Sequence, residues 1–206
     1  MPDKTAIILA GGFSSRLGRD KGLVSLVDKP LVRHVLDRVK DVVDEKIVVV
    51  SSDAQAEQYA KVAGSNAKIV KDKLELQSPL VGTLTGLEAA EGKYALVLPC
   101  DAPFVSGEVV SLLFDLCANK AAVIPRWPSG YIEPLQSVYC TKPARDAAEG
   151  ALSEGGLNLR CMVDKLRGVR YVSTIVLQQI DPELKTFFNI NTPLELKKAE
   201  NMLKHT

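Results

Sequence analysis

Thr5-Ala6-Ile7-Ile8-Leu9-Ala10-Gly11-Gly12-Phe13-Ser14-Ser15-Arg16-Leu17-Gly18-Arg19-Asp20-Lys21 is the stretch that decides the fold. Thr5 to Leu9 reads as a short apolar strand, and a glycine pair follows at once. A strand that gives way directly to a glycine loop places that loop at the sheet edge where α/β folds bind ligands. Glycines let the backbone approach a polyphosphate closely and aim its N–H groups at the oxygens. Arg16 adds a planar fork of donors and Lys21 a movable point charge. A bare Gly-Gly after a strand is more often an ordinary turn. Three glycines with Arg16 and Lys21 in one loop point instead to a phosphate cradle. Two familiar loops are excluded by spacing. A Walker A loop needs Lys and then Ser or Thr after its second glycine, but Arg19 follows Gly18, and GxGxxG is absent.

Outward from this loop, β-branched runs alternate with segments of helical period. That alternation predicts an α/β three-layer sandwich with a mostly parallel central sheet. Helix is expected from about Pro30 to Lys40, with Leu31, Val35, Leu36 and Val39 on one face and Pro30 in the first turn. Further strands are expected at 46–51, 68–70, 94–98, 121–124, 136–139 and 170–173, the last at a sheet edge. Helices are expected at 54–62, 79–90, 106–117 and 141–152. A final helix opens with Thr192 as N-cap, Pro193 as first residue and Glu195 completing a capping box. With no repeat, low-complexity stretch or linker, residues 1–206 read as a single domain.

The bulk properties narrow the partners. A net charge of +1 offers no general grip on nucleic acid or on an anionic membrane. Phosphate binding must therefore rest on a few local charges. No apolar run approaches the roughly 20 residues needed to cross a bilayer, and the N-terminus lacks a signal-peptide layout. Cys100, Cys117, Cys140 and Cys161 form no CxxC pair, and His34 and His205 are the sole histidines, so a zinc site is not expected. Free thiols in a reducing cytoplasm fit this pattern.

Asp101 is the residue best suited to hold a metal. It follows the buried run Tyr94 to Leu98, which would hold its backbone rigid while the carboxylate faces a cleft. Magnesium favours one or two carboxylates completed by substrate phosphates and water. Asp101-Ala102-Pro103 is also an ordinary way to turn a chain into a helix. Asn189 and Asn191 are second-rank metal candidates, since Asn-x-Asn-Thr-Pro is a good helix start in its own right. Asp72, between Lys71 and Lys73, is either an exposed loop carboxylate or an acceptor for base N–H groups and ribose hydroxyls.

The glycine loop resembles the signature of the molybdenum cofactor guanylyltransferase family, roughly LAGGxSxRxGxDK. The resemblance continues in order through most of the chain. Ser78-Pro79-Leu80-Val81-Gly82 is similar to GPLxG, and Leu98-Pro99-Cys100-Asp101-Ala102-Pro103-Phe104 to LPCDxPF. Glu133-Pro134-Leu135 and Asn189-Ile190-Asn191-Thr192-Pro193 are similar to EPL and NxNTP. Two positions depart: Asp53 stands where the family often carries Asn, and Ser78 replaces the first glycine of GPLxG.

The resemblance implies a Rossmann-like nucleotidyltransferase fold and transfer of GMP from GTP to the terminal phosphate of molybdenum- or tungsten-loaded molybdopterin. It implies Mg2+ as cofactor, with Asp101, Asn189 and Asn191 toward the metal. Lys21, Arg16 and Asp101 would act in catalysis, and Leu9, Ala10, Gly11, Gly12, Lys21, Asp53, Asp72, Gly82 and Asp101 would line the nucleotide site. Direct attack by the acceptor phosphate on the α-phosphorus needs no general base, because the attacking group is already anionic. A cytidylyltransferase on the same pterin, a nucleotidyltransferase on another phosphorylated acceptor, and an inactive nucleotide-binding regulator are the alternatives. Retention of Lys21 and Asp101 weighs against the last. Transient contact with cofactor-biosynthesis or acceptor proteins fits the same pathway role.

Overall fold

Alternate residues of the first strand serve two different cores. The computed structural model describes residues 3–11, 13–14, 19–72 and 77–204, beginning with β1 (Lys4–Leu9). Two small ladders follow, β2 (Phe13–Ser14) with β3 (Arg19–Asp20), and β4 (Ser25–Leu26) with β5 (Lys29–Pro30). The chain continues through α1 (Leu31–Val39), β6 (Glu45–Val50), α2 (Asp53–Ala63), β7 (Lys68–Lys71), α3 (Pro79–Ala89), β8 (Tyr94–Pro99) and α4 (Gly107–Leu116). It ends with β9 (Ala122–Arg126), β10 (Ser137–Cys140), α5 (Thr141–Ser153), α6 (Leu159–Lys165), β11 (Val169–Ser173), α7 (Thr174–Leu177) and α8 (Pro193–Lys204).

Seven strands form one sheet in the order β11-β9-β10-β8-β1-β6-β7. All pairings are parallel except those of β10, which runs antiparallel to β8 and β9. The expected mostly parallel α/β sandwich is therefore what the chain adopts. Ala6, Ile8, Val48, Val50, Leu96 and Leu98 face one layer of helices, against Val35 and Leu36 of α1 and Val109 and Leu113 of α4. Ile7, Ile47, Val49, Ala95 and Val97 face the other layer, against Leu80 and Leu87 of α3, Ala144 and Ala148 of α5, and Met162 of α6. The period-2 alternation of side chains divides the two cores. Burial of each such Val, Leu or Ile contributes roughly 1.5–3 kcal/mol before entropy is counted.

β1 is the switch point of this sheet. From it the chain passes to β6 and β7 on one side, then returns to β8 on the other. The connections leaving β1 and β8 therefore run to opposite sides of that strand pair, although α1 and α4 pack in the same layer, and a crevice lies beyond the carboxyl ends of the two strands. Leu9 pairs with Pro99 at that rim, and the Cys100 N–H donates to Leu9 O at 3.1 Å. A third cluster, Val24, Leu26, Leu31, Phe104, Ile190 and Ala199, seats α8 beside the opening.

The structure revises some local expectations. Pro30 is the N-cap of α1 rather than part of its first turn, because it pairs with Ser25 in the β4–β5 ladder. Gln136 lies outside β10, since its φ of 66° is left-handed. The short helices α6 and α7 are not among the expected elements; Asn158 and Ser173 cap them through side-chain oxygens. Thr192 makes the expected cap, its Oγ1 accepting from the Glu195 N–H at 3.2 Å, but the Glu195 carboxylate reaches back to the Thr192 hydroxyl at 3.0 Å and the Asn191 N–H at 2.8 Å rather than to the Thr192 N–H. Among the described residues no helix is long and apolar enough to cross a membrane.

Candidate active site

The crevice at the switch point is a cleft of about 470 Å³, within the roughly 300–1,000 Å³ usual for small-molecule sites. One end is walled by Leu9, Gly11, Val49, Ser51, Asp72, Ser78 and Gly82; the other by Lys21, Pro99, Cys100, Asp101, Leu135, Asn189 and Asn191. Residues nearly two hundred positions apart meet here because β1, β8 and the segment before α8 end at one rim.

Asp101 sits just past β8, 5% exposed. Its Oδ2 accepts from Lys21 Nζ at 3.2 Å, while its buried Oδ1 has no partner. Burial pushes its carboxyl above the ordinary aspartate range, and the Lys21 ammonium opposes that shift. Lys21 also donates to Asn191 Oδ1. Two oxygens, one from the middle of the chain and one from near its C-terminal helix, thus converge on a single cation.

Asn189 is oriented differently. Gln136 Nε2 donates to the Thr186 carbonyl at 3.0 Å, which fixes which end of that amide carries hydrogen. The same nitrogen donates to Asn189 Oδ1 at 3.2 Å. The Asn189 oxygen is therefore engaged on the protein side. Gln136 is 2% exposed and left-handed at φ 66°, a strained state for a residue with a side chain. Sequence reading assigned it only to a strand, because nothing local marks such a tertiary bond.

At the opposite end, Asp72 follows β7 and presents a buried Oδ1 without a partner. Burial raises its carboxyl, and a hydrogen bond with Thr85 counters this. Gly82, on the first turn of α3, faces it. A Cβ at Gly82 would meet Leu9 Cδ2 at 3.4 Å, Val49 Cγ1 at 3.8 Å and Asp72 Oδ2 at 3.8 Å, all ordinary contacts. Packing alone would admit alanine there, so the bare backbone leaves room for something else in the cleft. Ser78 lines this end and caps α3, accepting from the Val81 N–H at 3.1 Å, which gives its departure from glycine a structural use.

Other expected site residues are sorted by the fold. Leu9, Gly11, Lys21, Asp72, Gly82, Asp101, Asn189 and Asn191 line the cleft together. Ala10 is fully buried and its N–H donates to Val49 O at 2.8 Å, so it offers shape rather than a free donor. Asp53 is not brought into the cleft: its carboxylate is exposed and pairs with Lys71 at 2.8 Å. As first residue of α2 it has turned outward, where a carboxylate suits the helix N-terminus. Gly12 and Arg16 lie outside the described residues. The Cys100 thiol is buried and held well above its ordinary range by burial first and by Asp101 second, which leaves it inert as a nucleophile.

Residues 6–169 match the MobA-like NTP transferase domain. The chain belongs to that family. It is 34% identical over 207 residues to a protein of Methanosarcina mazei named "Probable molybdenum cofactor guanylyltransferase", covering 98% of this chain and 91% of that one. A molybdenum cofactor guanylyltransferase of Desulfosudis oleivorans is 33% identical, covering 97% and 96%. The crystal structure of molybdopterin-guanine dinucleotide biosynthesis protein A from Archaeoglobus fulgidus superposes with a TM-score of 0.84 at 29% identity, covering 98% and 100%. Members of the MobA-like family are nucleotidyltransferases, and the cleft at the switch point is where this one brings Lys21 and its buried aspartate together.

Proposed function

We propose that this chain, as a single nucleotidyltransferase domain, transfers GMP from GTP to the terminal phosphate of a molybdopterin-type acceptor and releases pyrophosphate. The observation that carries the reading is Asp101: a buried carboxylate with one oxygen on Lys21 and the other unpartnered, in one cleft with the Asp72–Gly82 seat.

The donor set fits Mg2+. No cluster of three His, Cys, Asp or Glu occurs among the described residues, but magnesium is commonly held by one or two carboxylates with substrate phosphates and water. Asp101 and Asn191 direct their oxygens to a common point, and Lys21 supplies the cation there in this structure. Bound magnesium supplies Lewis-acid charge at the reacting phosphate oxygens. Asn189, its oxygen turned to Gln136, is read as a donor to phosphate rather than as a metal ligand.

The reaction is a displacement at the α-phosphorus. An acceptor phosphate oxygen forms the new P–O bond as the bond to the β-phosphate breaks, and pyrophosphate leaves with its electrons. Lys21 swings from Asp101 onto the polyphosphate and neutralises the departing charge, so the protein acts by positioning and electrostatics. Asp72 accepts from guanine N–H groups or ribose hydroxyls, with Gly82 leaving space for the nucleoside.

Pyrophosphate release measured with each of the four nucleoside triphosphates, with and without Mg2+ and metal-loaded molybdopterin, tests this reading. Turnover with GTP that requires both the acceptor and the cation is expected. Equal turnover with any phosphorylated acceptor, or none with GTP, overturns it.

A further inference from the structure

Behind the cleft lies a chain of hydrogen bonds that none of the reactive groups above requires for its own chemistry. Asp20 Oδ1 accepts from the Gly22 N–H at 3.2 Å and from the Tyr59 hydroxyl. Asp20 Oδ2 accepts from Gln55 Nε2 at 2.5 Å. The other end of the Gln55 amide accepts from the Ser51 N–H at 2.8 Å. Ser51 Oγ donates to Gly11 O at 2.9 Å, and Tyr59 OH lies 3.3 Å from Ala10 O. Helix α2 and the end of β6 thus hold both ends of the phosphate loop: Ala10 and Gly11 where it leaves β1, Asp20 and Gly22 where it returns.

The packing around this chain leaves little room for alternatives. Tyr59 is fully buried, and a Cβ at Gly22 would stand 2.2 Å from its hydroxyl. A Cβ at Gly11 would stand 2.1 Å from Ser51 Oγ. Asp20 also caps the 3-10 turn Lys21–Leu23, whose first residue is Lys21. A lysine side chain has many rotamers of its own, so a rigid backbone at Lys21 is what keeps its ammonium near the cleft.

We propose that Asp20, clamped by Tyr59 and Gln55, is a positioning residue that sets Lys21 against the reacting phosphates. This rests on the reading of Lys21 above. The clamp acts chiefly on the rate of the chemical step: Asp20, Gln55 and Tyr59 lie outside the cleft lining, and only Ser51 and Gly11, further along the chain of bonds, reach the end that holds Asp72 and Gly82.

The polarity of the clamp supplies its test. Asp20→Asn has one acceptor oxygen for two sets of donors. With that oxygen on the Gly22 N–H, its amide N–H meets Gln55 Nε2, donor against donor. The flipped rotamer moves the clash to Gly22, and Gln55 cannot turn without losing the Ser51 N–H. Asp20→Asn is expected to lower kcat about tenfold or more while KM for the nucleotide stays within about twofold. In a Lys21→Ala background the same change is expected to cost less than about threefold, because residues acting through one another are non-additive. Asp20→Asn combined with Gln55→Glu restores the pairing with reversed polarity, and most of kcat is expected to return. Tyr59→Phe, which removes one donor and no charge, lowers kcat in the same direction and serves where Asp20→Asn folds poorly. The proposal is overturned by full kcat in Tyr59→Phe and Asp20→Asn, by an equal loss in the Lys21→Ala background, or by no recovery in the double variant. All four nucleoside triphosphates are assayed with metal-loaded molybdopterin. The choice of donor then stands or falls by which one supports turnover, and the clamp by the ratio of variant to wild type with that one.

Discussion

Lys21 Nζ and Asp101 Oδ2 stand 3.2 Å apart across eighty residues of sequence. The pair joins the loop after β1 to the end of β8, the two rims of the switch point. Lys21 retains some exposure while Asp101 is almost wholly enclosed. Removing either member therefore has unequal consequences for stability and for chemistry.

Asp101→Asn is expected to reduce Mg2+-dependent turnover by on the order of 10²-fold or more, since the charge that meets the cation is gone. Its melting temperature is expected to hold or rise, because the buried carboxylate is penalised by desolvation in the free protein. Turnover and thermal unfolding measured on one preparation check both halves. A variant that keeps its rate removes Asp101 from the mechanism.

Lys21→Ala is expected to lose roughly 2–4 kcal/mol of transition-state stabilisation, the scale of one preorganised donor. Steady-state kinetics and melting are compared. A collapse of melting with an unchanged rate in the folded fraction would make Lys21 a structural residue.

Gly82→Ala should fold like the parent, because its Cβ meets only ordinary contacts. In nucleotide binding it should raise Kd by about tenfold, as a methyl group takes space from the nucleoside. Calorimetry with magnesium and GTP measures this, and unchanged affinity would move the nucleoside elsewhere in the cleft.

Asp72 and Asp53, the two aspartates that the family resemblance assigns to the nucleotide, are expected to behave oppositely. Asp72→Asn should weaken GTP binding and narrow its preference over CTP, since guanine N1–H and N2–H suit one carboxylate and cytosine offers a single amine on that edge. Rejection by such paired bonds can reach about 10⁴-fold. Asp53→Ala should leave both affinities within about twofold, as an exposed pair with Lys71 contributes little. Tighter CTP binding by the parent protein would sink the guanine assignment and leave nucleotidyl transfer standing.

Asp72 also predicts a dependence on pH. Its folded carboxyl lies above the ordinary value of 3.8, so the folded state binds more protons than the unfolded state between those two values. Stability then falls as pH rises through that window. Relative to the parent, ligand-free Asp72→Asn should gain melting temperature as pH rises from about 3.8 toward neutrality. A gain that shrinks with rising pH would show that the fold stabilises the ionised carboxylate instead.

The strand ending at Leu9 and the cap of α8 at Thr192 were legible in the sequence because each depends on neighbours a few residues away. The family pattern carried this further, to Lys21, Asp72, Gly82 and Asp101 as members of one site. Tertiary structure alone decided that Asp53 turns outward to Lys71, that Ala10 spends its N–H on Val49, and that Gln136 leaves its strand to hold Asn189. It alone revealed the Asp20–Tyr59–Gln55 clamp. Local rules report backbone preference and burial period. Which donor meets which acceptor across a sheet depends on strand order, and that is settled only when the two cores close.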